Sequence, residues 1–148
     1  MTVHDFIVIY NETFKYIDEK FGADVEKDIW ATISLQCCTY LRELVETKGL
    51  EGMLEYWGGT EGTLGREKAQ YNVSLDNGIF KGTMFKCPSV GELHERGREV
   101  YHGGLTYCDH CRFLYAPIAR EYSFEMSWDI DFDESGKCTG SCGWTSLM

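Results

Sequence analysis

Apolar side chains recur at helical spacing through the first third of the chain. In residues 4–21 they stand three or four positions apart, at Phe6, Tyr10, Phe14, Ile17 and Phe21. This spacing predicts an amphipathic helix. A second helix follows Gly22 and ends at Gly49, with its stripe at Val25, Ile29, Ile33, Cys37, Leu41 and Leu44. Because Cys37 belongs to that stripe, we expect it in the core. A short third helix is predicted over LEGMLEYW.

The period changes to two after the glycine-rich segment GGTEGTLG, which we interpret as a flexible connection. Apolar residues alternate with polar ones from Ala69 to Leu75, and Asn77-Gly78 favours a tight type I′ turn. A two-residue loop pairs Leu75 with Phe80 and Tyr71 with Met84. The pattern therefore predicts a β-hairpin that ends at Cys87.

Two helices and a second hairpin complete the predicted elements. Pro88 suits the first position of a helix, and a further helix is expected from Cys108 to Tyr122, with Pro117 kinking or restarting it. Residues 122–132 alternate strictly between large apolar and polar side chains, which is typical of a half-buried strand. The segment DESG turns the chain, and KCTGSCGWTSL returns as the last strand.

This order predicts an α+β protein in which N-terminal helices precede a four-stranded antiparallel sheet in the order ββααββ. The helices are expected on one face of the sheet. The length of 148 residues fits one domain, 1–148. Within it, residues 1–58 form a helical part and residues 67–148 a sheet-and-helix part that carries the cysteines of interest.

Composition and charge narrow the classes of partner. The chain is 43% hydrophobic and 14% aromatic, which is enough for a core, and its formal net charge is −10. Such an acidic surface repels nucleic acids and anionic membranes. No apolar run approaches the length of a membrane span, and the N-terminus does not resemble a signal peptide. We therefore expect a cytoplasmic protein that acts on a small molecule, and its aromatic content is compatible with a homo-oligomer.

The candidate chemistry lies in the cysteines. There are seven of them, an odd number, and in a reducing compartment they are not expected to form a disulfide framework. The segment YCDHCRF places Cys108, His110 and Cys111 at a predicted helix start, where the helix dipole lowers thiol pKa values. Three interpretations stay open for this segment: a metal clamp, a reactive thiol, or a pair of inert buried thiols. Asp109 fits a helix cap.

Further cysteines extend the candidate site. Cys138 and Cys142 are separated by about 13 Å on a regular strand, unless Gly140 or Gly143 introduces a bulge. We expect Cys142, next to Gly143 and Trp144, to belong to the site and Cys138 to be an ordinary strand residue, so that Cys142→Ser is harmful and Cys138→Ser is tolerated. One set of four residues would suit tetrahedral zinc or a four-cysteine iron–sulfur cluster: Cys87, Cys108, Cys111 and Cys142.

The order of motifs from residue 69 to residue 146 resembles the L-2-amino-thiazoline-4-carboxylic acid hydrolase-like family. The motifs are FKCPSVGELHERG, YCDHCRFLYAPIARE, an alternating strand and SCGW. The resemblance implies a small cytoplasmic protein, hydrolytic opening of a five-membered ring, and site positions at Cys87, Cys108, Cys111 and Cys142, with His110 beside them.

Two functions follow as hypotheses. In the first, the protein is a hydrolase that opens a cyclic amide, amidine or ketone. Either a thiolate of Cys108 or Cys111 attacks the ring while His110 moves the proton, or a zinc ion activates water. In the second, the protein is a non-catalytic binding module whose cysteines hold a structural zinc ion or an iron–sulfur cluster.

Overall fold

The computed structural model describes residues 1–148 and contains seven helices and four strands. The helices are α1 (Val3–Phe21), α2 (Ala23–Cys37), α3 (Thr39–Lys48), α4 (Leu50–Trp57), α5 (Thr63–Arg66), α6 (Pro88–Glu95) and α7 (Asp109–Glu121). The strands are β1 (Gln70–Asp76), β2 (Ile79–Lys86), β3 (Glu125–Phe132) and β4 (Cys138–Leu147). The predicted α+β class is confirmed. No helix combines the length and apolar character needed to cross a membrane.

The four strands form one antiparallel sheet in the order β1-β2-β4-β3. The predicted register of the first hairpin is confirmed, since Leu75 pairs with Phe80 and Tyr71 with Met84. Asn77 and Gly78 both adopt positive φ, as the tight turn requires. In the centre of the sheet Gly82 faces Trp144, and an added methyl group at Gly82 would lie 2.1 Å from the indole ring. The missing side chain therefore lets Trp144 lie flat across β2.

Helices cover one face of the sheet, and the opposite face is exposed. A first apolar core lies between the sheet and helices α3, α4 and α7, and includes Leu41, Trp57, Phe80, Ile118 and Trp144. A second core lies where α1 and α2 meet α6 and the start of α7. Its members include Phe14, Trp30, Leu93, Tyr107 and Cys138. The start of α7 thus lies at the junction of the two cores.

The buried faces of the first two helices differ from the predicted ones. Phe6, Tyr10, Phe21, Val25 and Ile33 are exposed. The helices instead bury a set of residues that is partly polar: Asn11, Phe14, Glu26, Trp30 and Ser34. On α2 each buried residue lies one position after the corresponding residue of the predicted stripe. This shift also corrects the prediction for Cys37, which is exposed at the end of α2. The single long helix that we predicted to end at Gly49 is interrupted at Cys38.

Two polar side chains of α1, the buried Asn11 and the partly exposed Asp18, hold the loop that leads into α7. Asn11 donates through Nδ2 to the carbonyl of Glu99 at 3.0 Å, and its Oδ1 accepts from the backbone N–H of Tyr101 at 2.8 Å. Asp18 accepts from the hydroxyl of Tyr101 and from the backbone N–H of Gly104. The loop therefore takes its position from α1 rather than from its own sequence.

Replacing Asn11 with alanine should lower the free energy of unfolding by about 1–3 kcal/mol, because the Tyr101 N–H stays buried without an acceptor. Urea unfolding at neutral pH measures this loss. Asn72, exposed on β1, provides the matched control, and Asn72→Ala should change stability by less than about 0.5 kcal/mol. An Asn11→Ala variant as stable as this control would show that α1 does not hold the loop.

Candidate functional site

Five of the seven cysteines gather around the start of α7. Cys87 precedes α6 and donates its backbone N–H to Gly140 O on β4 at 2.9 Å. Cys108 is the N-cap of α7, and Cys111 lies in its first turn. Cys138 begins β4, and Cys142 lies in its middle, opposite Ile130 and Met84. The charges of Cys111, Cys87 and Cys138 all act on the pKa of Cys142, so these side chains share one region.

A bulge in β4 brings the last two cysteines into this region. Ile130 pairs with Cys142 and Phe132 with Cys138, so three residues of β4 lie opposite the single residue Asp131. Gly140 occupies this bulge at a φ of +92°, a conformation that favours glycine. The bulge that the sequence allowed at Gly140 or Gly143 is therefore present, at Gly140.

The region does not form a metal centre in this structure. No group of three or more His, Cys, Asp or Glu side chains is arranged to hold a metal ion. The four positions predicted as ligands, Cys87, Cys108, Cys111 and Cys142, are neighbours, but they do not converge on one point. The residues present therefore do not fit the predicted tetrahedral zinc site or a four-cysteine cluster.

Asp109 fixes the first turn of α7. Its carboxylate accepts from the backbone N–H of Thr106 at 2.6 Å and from the Thr106 hydroxyl at 2.9 Å. Arg112 pairs with the same carboxylate at 2.6 Å. Asp109 is almost fully buried, so the turn that carries His110 and Cys111 is tied to the loop before it.

His110 lies in an aromatic pocket with one nitrogen anchored and the other directed at a thiol. Its ring centroid is 5.3 Å from that of Phe14, 5.6 Å from that of Trp30 and 5.0 Å from that of Tyr107. Nδ1 lies 2.5 Å from the carbonyl oxygen of Tyr107, so Nδ1 carries the hydrogen. Nε2, left with its lone pair, lies 3.5 Å from Sγ of Cys111.

Both members of this pair are neutral in the resting protein. Burial lowers the pKa of His110 below its usual value. Burial, assisted by the charges of Glu67 and Cys138, raises the pKa of Cys111 to about 12. Burial also raises the pKa of Cys87 to about 11 and that of Cys142 to about 12. The thiol of Cys111 therefore needs a base to become a nucleophile, and His110 Nε2 is positioned as that base.

The predicted effect of the helix N-terminus on Cys108 and Cys111 is wrong in direction. The pKa of Cys108 is raised by its hydrogen bond to Cys138 and by burial, and that of Cys111 is raised by burial. The cost of burying a thiolate exceeds the stabilisation by the helix dipole at these two positions. The helix dipole is screened least where little water is present. Even there it does not stabilise a buried thiolate as a neighbouring positive charge would.

Cys138 is the thiol whose pKa is lowered, to about 7, because it accepts a hydrogen bond from the Cys108 thiol. The backbone N–H of Cys108 lowers the pKa of Cys138 further. The sequence predicts an ordinary strand residue at Cys138, because only the tertiary fold relates it to Cys108. The structure places it in the cysteine region with the other four.

Two acidic residues of the region carried no signal in the sequence. Glu67 follows α5, and burial raises the pKa of its carboxyl. Its charge acts on Cys111, Cys87 and Tyr56. Glu26 on α2 is 1% exposed, and neither of its carboxyl oxygens has a hydrogen-bond partner. Burial raises the pKa of Glu26 to about 7, and Asp18, Asp109 and His110 also act on it.

Two surface grooves adjoin these residues. One groove, of about 370 Å³, opens on the exposed face of the sheet beside Cys142, Ser141 and Asp129. Another, of about 400 Å³, lies between α2 and α7 beside Lys27, Arg112 and Phe113. Cys111 lies in neither groove, and it is itself only partly buried.

Comparisons with protein-family models, curated proteins and solved structures gave no match to this chain.

Proposed function

We propose that the protein is a small-molecule hydrolase that opens a cyclic amide or amidine by attack of the Cys111 thiol. The observation that carries the proposal is the distance of 3.5 Å between Cys111 Sγ and His110 Nε2, with Nδ1 anchored on Tyr107. A nucleophile, a base and a group that orients the base are the parts that thiol catalysis requires. The resemblance of residues 69–146 to the thiazoline carboxylic acid hydrolase-like family supports the class of substrate.

The reaction starts from the neutral pair. His110 Nε2 takes the proton of Cys111 while Sγ forms a bond to the electrophilic ring carbon. The ring C–N bond breaks, and its electron pair goes to the nitrogen, which receives the proton from His110. The opened substrate is then attached to Cys111 as a thioester or its amidine counterpart. Water attacks this carbon, His110 takes the proton of the water, and the proton returns to Sγ as the product leaves.

Glu67 has a supporting role in the resting state. Its carboxylate raises the pKa of Cys111, which keeps the thiol protonated, and less open to oxidation, until a substrate draws on the base. Activation of water by zinc, the other mechanism expected from the sequence, has no support here because the cysteine side chains are not arranged to hold a metal ion. The non-catalytic metal module requires the same convergence, and no contact in the structure favours it.

A panel of small cyclic compounds tests the proposal. Thiazoline carboxylates, lactams, cyclic amidines and cyclic ketones are incubated with the protein, and products that have gained one water are detected by mass spectrometry. Cys111→Ala should lower the turnover of any substrate found by at least about 10³-fold. Cys37→Ser, which changes an exposed cysteine at the end of α2, is the matched control and should leave turnover unchanged. Turnover that survives in Cys111→Ala would contradict the proposal.

A further inference from the structure

The groove between α2 and α7 takes no part in the proposed hydrolysis, and its charge is opposite in sign to that of the whole chain. The chain has 24 acidic and 14 basic residues and a formal net charge of −10. The lining of the groove contains a single acidic residue, Asp28, and three basic ones, Lys27, Arg112 and Arg120. A small anion that the rest of the surface repels is therefore attracted to this groove.

Helical spacing places these charges around an open space. On α7, Arg112, Ala116 and Arg120 follow one another at intervals of one turn, so the two arginines begin roughly 12 Å apart along the helix axis. On α2, Lys27 and Ala31 are also one turn apart. The short side chains of the two alanines leave a groove of about 400 Å³, a volume in the range of small-molecule sites.

Two of the cations meet over one aromatic ring at one end of the groove. Lys27 Nζ lies 5.6 Å from the ring centroid of Phe113, and the guanidinium carbon of Arg112 lies 4.8 Å from it. Contacts of this kind between a cation and an aromatic face are favourable. Because Lys27 belongs to α2 and Arg112 to α7, the ring of Phe113 brings positive charge from both walls of the groove together.

The carboxylates that pair with these two cations leave them free to bind a ligand. Arg112 Nη2 donates to Asp109 at 2.6 Å, which fixes the guanidinium group and uses one part of its fork of five N–H donors. Lys27 pairs with Asp24 at 3.3 Å, and the side chain of Asp24 is 99% exposed. Such an exposed ion pair contributes little, so an anion in the groove readily replaces Asp24.

We propose that this groove binds a small organic phosphate, with the phosphate group at the end formed by Lys27, Arg112 and Phe113. A phosphate group is tetrahedral, so its oxygens can accept from the Lys27 ammonium group and from the Arg112 guanidinium group at the same time. A planar carboxylate matches a single arginine fork. Arg120 adds a positive charge at the other end of the groove for a second negative group of the ligand. The net charge of −10 disfavours a nucleic acid as the source of the phosphate.

Titration calorimetry of the full-length protein with phenyl phosphate tests the proposal. We expect binding whose affinity falls as the sodium chloride concentration rises. Lys27→Gln should weaken this binding by about 10-fold or more, because it removes a charge-assisted hydrogen bond. Lys20→Gln, which removes the same charge from an exposed position on α1, is the matched control and should leave the affinity nearly unchanged. Succinate, a dianion without a phosphate group, should bind much more weakly.

Amide chemical shifts of the native protein locate the ligand without any substitution, so the test does not depend on the folding of Lys27→Gln. Phenyl phosphate should shift the amides of Lys27, Ala31, Arg112 and Ala116 most. Four outcomes would overturn the proposal: no binding at millimolar phenyl phosphate, equal affinities in the two lysine variants, succinate binding as tight as that of phenyl phosphate, or the largest shifts in another part of the chain. None of these results depends on ring-opening turnover, so this proposal and the proposed hydrolysis can fail separately.

Discussion

Replacing His110 with asparagine should lower kcat for ring opening by about 10²–10⁴-fold, the usual contribution of a positioned general base. The amide nitrogen of asparagine takes the place of Nδ1 and can still donate to the carbonyl of Tyr107. Nothing takes the place of Nε2, which lies 3.5 Å from the thiol in the native protein. The substitution thus removes the base while it keeps the anchor.

The pH dependence follows from the direction of the pKa shift of His110. Burial lowers this pKa, so the base stays neutral and active at pH values below the usual histidine pKa of about 6.5. We expect kcat/KM of the native protein to stay level from pH 8 to about pH 6.5 and to fall only at lower pH. In His110→Asn this acidic limb should disappear along with most of the rate.

A measurement without substrate checks the same base. The rate at which iodoacetamide alkylates Cys111, followed by peptide mapping at neutral pH, should fall in His110→Asn and stay unchanged in Cys37→Ser. Thermal unfolding of each variant shows whether the fold is retained. A folded His110→Asn protein with native kcat and a native alkylation rate would mean that His110 is not the base.

Replacing Glu26 with glutamine should raise the free energy of unfolding by about 2–3 kcal/mol at pH 8 and should have almost no effect near pH 4. The carboxyl group is buried without a hydrogen-bond partner, and burial raises its pKa from 4.5 to about 7. Glutamine has the shape of the protonated side chain and no charge, so it removes the penalty that the carboxylate imposes.

The sign of this effect on stability follows from the pKa of Glu26, which is higher in the folded chain than in the unfolded chain. Below pH 4.5 the group is protonated in the folded and the unfolded chain, and it makes no difference to stability. Between pH 4.5 and pH 7 the unfolded chain loses the proton and the folded chain keeps it, so stability falls as pH rises. Above pH 7 the full penalty is present. His110 acts in the opposite direction, since its lowered pKa reduces stability as pH falls below 6.5.

Urea unfolding of the native protein and of Glu26→Gln across this pH range measures the difference. Glu26 and His110 act on each other's pKa, so the difference between the two curves reports the loss of the Glu26 carboxylate together with the change that this loss causes in His110. Asp28→Asn on the same helix is the matched control, because Asp28 is exposed and its substitution should shift stability by less than about 0.5 kcal/mol at any pH. A difference curve for Glu26→Gln that is flat with pH would show that Glu26 ionises normally in the fold.

The hairpins were predictable from the sequence, whereas the buried faces of the N-terminal helices were not. Alternation from Tyr71 to Leu75 and the Asn77-Gly78 turn are local signals, and they gave the correct register. The buried line of α2 contains Glu26 and Ser34, which no apolar pattern identifies. Their burial follows from the packing of α2 against α1 and α7, which is a tertiary effect that overrides local patterning.

The candidate site was predictable in its position but not in its chemistry. The segment YCDHC correctly indicated that thiols and an imidazole meet at the start of a helix. The direction of the pKa shifts depends on burial by Phe14, Trp30 and the sheet, which the sequence does not display. Cys108 and Cys138 act on each other's pKa, a tertiary relation that their positions in the sequence do not indicate. Glu67 reaches the region from an unremarkable loop.

The most direct test of the central claim, that Cys111 is a nucleophile activated by His110, is to trap the intermediate. The protein is mixed with the panel of cyclic amides and amidines, quenched in acid within a single turnover, and analysed as intact protein and as peptides. Ring opening keeps all atoms of the substrate, so the predicted adduct has the full mass of the substrate and maps to Cys111. We also expect the adduct to be absent from Cys111→Ala and to be much less abundant in His110→Asn. An adduct that maps to Cys108, Cys138 or Cys142 instead of Cys111 would contradict the account. Turnover of a substrate by the native protein and by both variants, with no adduct on any cysteine, would contradict it as well.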